Sequence, residues 1–263
     1  MPIGQVTRGT TGTNRLRRID RWIASHPAFR HAADPLVVDL GYGASATTPL
    51  ELHHRLARIR PDVEVVGIEI EPSRVALASL SAVPGVSFRL GGFEVPLAPA
   101  DERAGRRPAV IRALNVLRQY DESEVAESWA LMTSRLAPGG VLVEGTCNEV
   151  GRVASWVDVT AEGPQTFTAS LRLASLESPS IVAERLPKAL IHHNVEGEPV
   201  HAFLRDLDRH WRYNAGLAVY SPVQRWVATV SALRDEGWPV LHGRSRWRLG
   251  EITVPWRAVA PLS

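Results

Sequence analysis

Short apolar runs alternate with amphipathic stretches through the first half of the chain. Leu36-Val37-Val38-Asp39-Leu40 and Val65-Val66-Gly67-Ile68-Glu69 have strand length, are almost wholly apolar and carry an acid near the end, as strands buried on both faces of a parallel sheet do. Between them a stretch opening at Thr48-Pro49 and closing before Pro61 reads as a helix. A proline suits the first helical turn, where a missing N–H costs nothing, and Thr47 or Thr48 can cap it. The alternation continues with a helix from Glu71-Pro72-Ser73, a strand at 86–90, a strand at 109–114, a helix at 123–136 and a strand at 141–144. Strands and helices in strict turn predict an α/β fold built from βαβ units.

The second half follows a different pattern. Residues 152–159 and 166–173 alternate apolar and polar positions and are joined by Ala161-Glu162-Gly163-Pro164, which predicts a hairpin. Helices are expected at 180–191, 200–211 and 222–236, and a last strand-like segment over 245–257. At the N-terminus the first dozen residues, rich in Gly and Thr, read as an irregular arm placed to cover a bound ligand. An amphipathic helix follows over 14–25 and ends before His26-Pro27. The division expected is an arm and helix over 1–33 and one domain over 34–263. That domain has a recognisable core at 34–146 and a variable, substrate-side region at 147–263.

The turn after the first strand carries the chemistry. Gly41 and Gly43 let the backbone approach a ligand where a Cβ would intrude, and Glu69, ending the second strand, can accept from both hydroxyls of a ribose. An adenosine-containing cofactor follows. Asp39 lies two residues before Gly41, and a carboxylate there disfavours a pyrophosphate and favours a cation, either directly or by organising the loop. Asp39-x-Gly41-x-Gly43-x-Ser45 resembles motif I of the class I S-adenosylmethionine-dependent methyltransferases, with Ser45 in place of the third glycine. The alternative Gly41-x-Gly43-x-x-Ala46 fits a variant nicotinamide fingerprint.

Arg135-Leu-Ala-Pro-Gly-Gly-Val-Leu-Val-Glu-Gly-Thr146 is similar to the same family's turn into its fifth strand. The resemblance implies a Rossmann-like, doubly wound, mostly parallel sheet of the seven-stranded type with helices on both faces and a helical C-terminal elaboration. It implies S-adenosylmethionine as cofactor and S-adenosylhomocysteine as product. Asp39, Gly41, Tyr42, Gly43, Glu69 and Ile70 would then line the cofactor, Gly92, Phe93 and Glu94 would lie beside the adenine, and Asn115 would meet the amino-acid end or the acceptor. Polar residues in succession, Asn115, Arg118, Gln119 and Tyr120, are expected at the mouth of that pocket, because ligands bind at the carboxyl ends of the strands.

Composition narrows the function further. The 263 residues suffice for one large α/β domain, and no run reaches the length of a membrane span. Without the apolar core of a signal peptide near the N-terminus, the expected location is cytoplasmic. One cysteine, Cys147, excludes an intramolecular disulfide and argues against a thiolate zinc site; no metal is expected. Thr146-Cys147-Asn148 is similar to the nucleophile motif of RNA cytosine-5 methyltransferases, but the Pro-Cys pair those enzymes carry after strand four is absent, so Cys147 reads as a small buried residue. The net charge of +2 is too small for a nucleic-acid surface, and the cluster Arg15, Arg17, Arg18, Arg21 reads as the solvated face of the first helix.

A dedicated base is optional for methyl transfer. Candidates are His192, His193 and Tyr120, together with His201 and His210, while His53 and His54 are placed on a solvent face. The reading is a methyltransferase whose acceptor is a small metabolite or a sugar or lipid hydroxyl. An RNA methyltransferase, or a methyltransferase-like protein that binds without catalysis, is the alternative.

Overall fold

The computed structural model describes residues 2–7, 9 and 12–262, so Met1, Arg8, Thr10 and Thr11 of the expected arm lie outside the described residues. Eight strands are formed among the described residues: β1 Leu36–Leu40, β2 Glu64–Glu69, β3 Val86–Leu90, β4 Val110–Leu114, β5 Val141–Cys147, β6 Val153–Thr160, β7 Gly163–Leu171 and β8 Glu251–Pro255. They lie in the order β3-β2-β1-β4-β5-β6-β7-β8. β1 runs parallel to β2 and β4, and β2 runs parallel to β3, whereas β8 is antiparallel to β7.

The sheet therefore has eight strands in place of the seven implied by the resemblance. Ala161 and Glu162 alone join β6 to β7, and a link that short closes at little entropic cost. The hairpin is added directly after β5 in the sheet order, and β8 docks on its outer strand.

The chain divides into two compact units, the first containing residues 1–144, 149–151 and 158–163, the second residues 145–148, 152–157 and 164–263. In the first, β1, β4 and β5 are buried on both faces, as their apolar runs predicted. The helix Arg17–Ser25 buries Ile19, Trp22 and Ile23. It starts three residues later than expected because Asn14 takes left-handed backbone and gives its N–H to the Glu51 carboxylate at 2.9 Å.

The arginine cluster is not a solvated face. Arg18 is buried with its Nε on the Gly151 carbonyl at 3.1 Å, and Arg17 reaches the carbonyls of Asn14 and Val150. The backbone carbonyls of Val150 and Gly151, in the turn after β5, draw these guanidiniums inward. The charged connection around 101–107 is pinned as well, since Arg106 pairs with Asp34, Glu64 and Asp101, and the hydrogen bonds it donates to these carboxylates raise its pKa further.

In the second unit the helices Pro199–Tyr213 and Pro222–Asp235 pack Trp211 against Trp226, with ring centroids 6.3 Å apart, and Phe203 meets Phe167 of β7. Two expected elements are broken. The helix foreseen over 180–191 is a 3-10 turn, Pro179–Arg185, then a short helix, Lys188–Ile191, because Pro187 forces Leu186 into an extended conformation. The strand foreseen over 245–257 is β8 preceded by the helix Arg244–Trp247. The chain turns between them at Gly250, whose positive φ of 81° and close approach to the Leu171 carbonyl both require glycine.

Candidate functional site

β1 lies between β2 and β4, so the chain leaves it in opposite directions on its two sides, and such a switch point opens a crevice at the carboxyl ends of the strands. The residues there come from the loops after β1, β2, β3 and β4. Gly41, with φ of 70°, brings the first loop so close to the fourth that an added Cβ would stand 2.6 Å from Val116.

Asp39 does not face the crevice with a free carboxylate. Arg112 of β4 binds it in bidentate fashion, Nε to Oδ1 at 2.9 Å and Nη2 to Oδ2 at 2.6 Å, while the Thr48 hydroxyl donates to Oδ2 at 2.8 Å. Arg112 also binds Asp20 of the first helix, which Arg55 holds from the other side. Burial pushes the Asp20 carboxyl up against the pull of both arginines. Burial works against the Arg112 charge too, but Asp39 and Asp20 overcome it and its pKa is raised. This network ties β1, β4 and the first helix together beneath the glycine loop.

Glu69 is buried at the end of β2. Its Oε2 accepts the Gly43 N–H at 2.9 Å and its Oε1 accepts the Ile70 N–H at 2.9 Å, with Arg74 3.7 Å away. Two strong bonds leave about half of the four lone-pair sites of a carboxylate for other donors. After β3 the turn presents a donor beside an acceptor: the Phe93 N–H, and the Glu94 carboxylate, which also takes the Gly92 N–H at 3.0 Å. The Phe93 ring packs on Tyr120 with centroids 5.2 Å apart. Tyr42 is turned inward against Phe88, Ala46 and Ala78, so its backbone alone meets the loop surface.

One pocket, bounded by Leu40, Gly41, Glu69, Ile70, Phe93 and Tyr120, connects these groups, and its enclosed volume is about 20 Å³. A second cavity of about 290 Å³ shares Ile3, Gly4, Gln5, Phe93 and Tyr120 with it and is also lined by Glu124, Glu127, Ser128 and Leu131. Of the segment after β4, Val116 and Tyr120 line the smaller pocket, Asn115 takes left-handed backbone with φ of 63°, and Arg118 and Gln119 are exposed. Burial raises the pKa of the Tyr120 phenol, so it is neutral at pH 7 and offers a hydrogen bond instead of a base.

His192 and His193 lie in the second unit, His192 exposed near Lys188 and His193 beside the Glu198 carboxylate at 3.4 Å. Cys147 is buried. Among the described residues no group of three or more His, Cys, Asp or Glu is placed to hold a metal, and no helix is long and apolar enough to cross a membrane.

The first unit holds one further titrating group of consequence. Burial pushes the Glu144 carboxyl of β5 up to about 8 from its ordinary 4.5, the Trp129 indole pulling the other way. A folded-state value above the unfolded one means that the native chain binds the proton more tightly. Its contribution to stability is present below pH 4.5 and is lost as pH rises through 8. Urea unfolding between pH 5.5 and 8.5 is expected to show a loss of stability with rising pH that Glu144→Gln flattens; an equal slope in both proteins would place the effect elsewhere.

Sequence reasoning missed Arg112, Asp20 and Arg74. The signal for the first was present: an arginine inside the run Ala109-Val110-Ile111-Arg112-Ala113-Leu114 has no place in a strand buried on both faces unless anionic partners wait for it. Arg74 holds the Thr7 carbonyl at 3.0 Å and stands by Glu69, and neither role shows in its surroundings along the chain.

Strand order and glycine loop together define a Rossmann-like, doubly wound α/β unit. Methyltransferases recur among the solved structures similar to the chain. Human N-acetylserotonin methyltransferase in complex with SAM is 20% identical over 52% of this chain and 36% of its own, with a TM-score of 0.37. The CcbJ methyltransferase from Streptomyces caelestis is 22% identical over 60% of this chain and 66% of its own, with a TM-score of 0.36. The [4+2]-cyclase SpnF is 17% identical over 54% of this chain and 52% of its own, with a TM-score of 0.37. In each pair the chain covers less than two thirds of the other protein. No protein-family model and no curated protein sequence matches the chain.

Proposed function

We propose that the chain is a class I S-adenosylmethionine-dependent methyltransferase acting on a small acceptor that offers a hydroxyl. The observation that carries this reading is the Glu69 carboxylate bound to the Gly43 N–H. A dinucleotide needs the amides of that loop for its pyrophosphate, and an anion seated on one of them repels another. A nucleoside without phosphates meets no such conflict. Along the carboxyl ends of the strands the glycine loop suits its amino-acid end, the Glu69 carboxylate its ribose diol, and the Phe93 N–H with the Glu94 carboxylate its adenine.

Bound S-adenosylmethionine supplies an electrophilic methyl carbon on a sulfonium, open to in-line displacement by the acceptor atom. The chain contributes alignment. Arg112 and Thr48 fix Asp39 and hold the glycine loop in place, Gly41 lets that loop close on β4, and the neutral Tyr120 hydroxyl positions what lies between the two cavities. The cavity of about 290 Å³ lies on the acceptor side of Phe93 and Tyr120; Ile3, Gly4 and Gln5 form part of its wall, so its size is that of the crevice with the arm seated. Glu124 and Glu127 on its wall oppose a phosphate backbone, and the arginines at 17 and 18 are turned to backbone carbonyls, so both observations weigh against RNA as acceptor.

The test is calorimetry with S-adenosylhomocysteine and with NADP. Heat with the first and none with the second is expected; tight NADP binding with no response to S-adenosylhomocysteine would remove the reading.

A further inference from the structure

The described part of the N-terminal arm lies in the crevice, where its own peptide groups make the contacts a nucleoside would make. The Ile3 N–H donates to Glu94 Oε2 at 2.8 Å and the Ile3 carbonyl accepts the Phe93 N–H at 2.8 Å. A donor beside an acceptor is also what adenine presents, through its exocyclic amino group and the neighbouring ring nitrogen. The Ile3 peptide thus takes up the same donor and acceptor. Contact is as close as a base would make it, since a Cβ on Gly92 would fall 2.0 Å from the Ile3 carbonyl oxygen.

The following residues continue along the strand ends. The Gln5 N–H donates to the Tyr120 hydroxyl, the Thr7 carbonyl accepts from Arg74 at 3.0 Å, and the Gly9 carbonyl accepts the Ala44 N–H of the glycine loop at 3.0 Å. A strap closed over a cofactor site would leave room beneath it. Here about 20 Å³ remains, enough for one water, where ligand pockets hold roughly 300–1,000 Å³. The side chains of the crevice fit an adenosine; with the arm seated, the space does not.

We propose that residues 2–7 are a built-in competitor for the cofactor: the Ile3 peptide sits in the adenine seat, and S-adenosylmethionine binds the chain only after the arm has left. This rests on the methyltransferase reading above. Seated arm and bound cofactor exclude each other, so the apparent affinity of the full chain is the affinity of the open crevice reduced by the fraction of chains whose arm is out. Any partner that captures the arm raises that affinity without touching the crevice.

Two variants test it. One deletes residues 2–7. The other, Gly4→Val, keeps the arm but unseats it, because Gly4 has φ of 137° and an added Cβ would stand 2.9 Å from the Tyr120 hydroxyl. S-adenosylhomocysteine is titrated by calorimetry into the full chain and both variants, and amide hydrogen exchange at Phe93 is followed without ligand. Both variants are expected to bind S-adenosylhomocysteine about tenfold or more tighter than the full chain, with faster exchange at Phe93. Equal or weaker binding in the variants, or unchanged exchange at Phe93, overturns the competitor while leaving the methyltransferase reading intact. No heat in any of the three proteins ends both.

Discussion

Arg112→Met is expected to lower the unfolding free energy by about 3–5 kcal/mol, the cost of breaking a buried ion pair from one side. Arg112 is fully buried, and among the described residues it is the cation paired with Asp39, while it shares Asp20 with Arg55. Methionine fills much of the same volume, so the loss arises from Asp39 left without its counter-charge in the protein interior, and Asp20 left with Arg55 alone, and not from a cavity. Urea denaturation at pH 7 measures it. Adding Asp39→Asn to Arg112→Met removes the stranded charge and should recover part of the loss, a recovery that a purely steric defect would not show. A change below about 1 kcal/mol in the single variant would mean that water already reaches this network.

The second large effect is on binding. Glu69→Ala is expected to weaken S-adenosylhomocysteine by about 1.5–3 kcal/mol, the range for charge-assisted hydrogen bonds from a ribose diol. The same carboxylate organises the loop, because it accepts from Gly43 and Ile70. Glu69→Gln separates the two roles. It loses the charge but keeps one of the two acceptor oxygens, so it should retain one of the backbone bonds, cost less folding stability than Glu69→Ala and still lose affinity. Wild-type affinity in both variants would take Glu69 out of the site.

Much of the first unit was legible in the sequence. Strand β1 falls on the predicted residues because a mostly apolar run bounded by turn residues leaves one register for burial, and β3 does so on its alternation of apolar and polar positions. The helix after β2 starts where Pro72 and the Glu71 cap place it. The second unit was less legible. Pro187 and Gly250 break elements whose hydrophobic pattern runs straight through them, and a pattern of side chains does not record where the backbone turns.

The glycine loop divides in the same way. Its residues were named from spacing, and so was the adenosine-facing role proposed for Glu69. The partner of Asp39 was not, for it comes from a strand 73 residues further on. Nor does any local feature of residues 2–7 mark them as occupants of the crevice. The sequence by itself determined the α/β class, the position of the loop after β1 and the acids at the ends of β1 and β2, because these depend on local periodicity and on steric freedom at Gly41 and Gly43. Tertiary structure alone decided that Asp39 is neutralised by Arg112, that the hairpin enlarges the sheet to eight strands, and that the Ile3 peptide meets Phe93 and Glu94. Each of these joins groups distant along the chain, and such groups are brought together only by the burial of the whole fold.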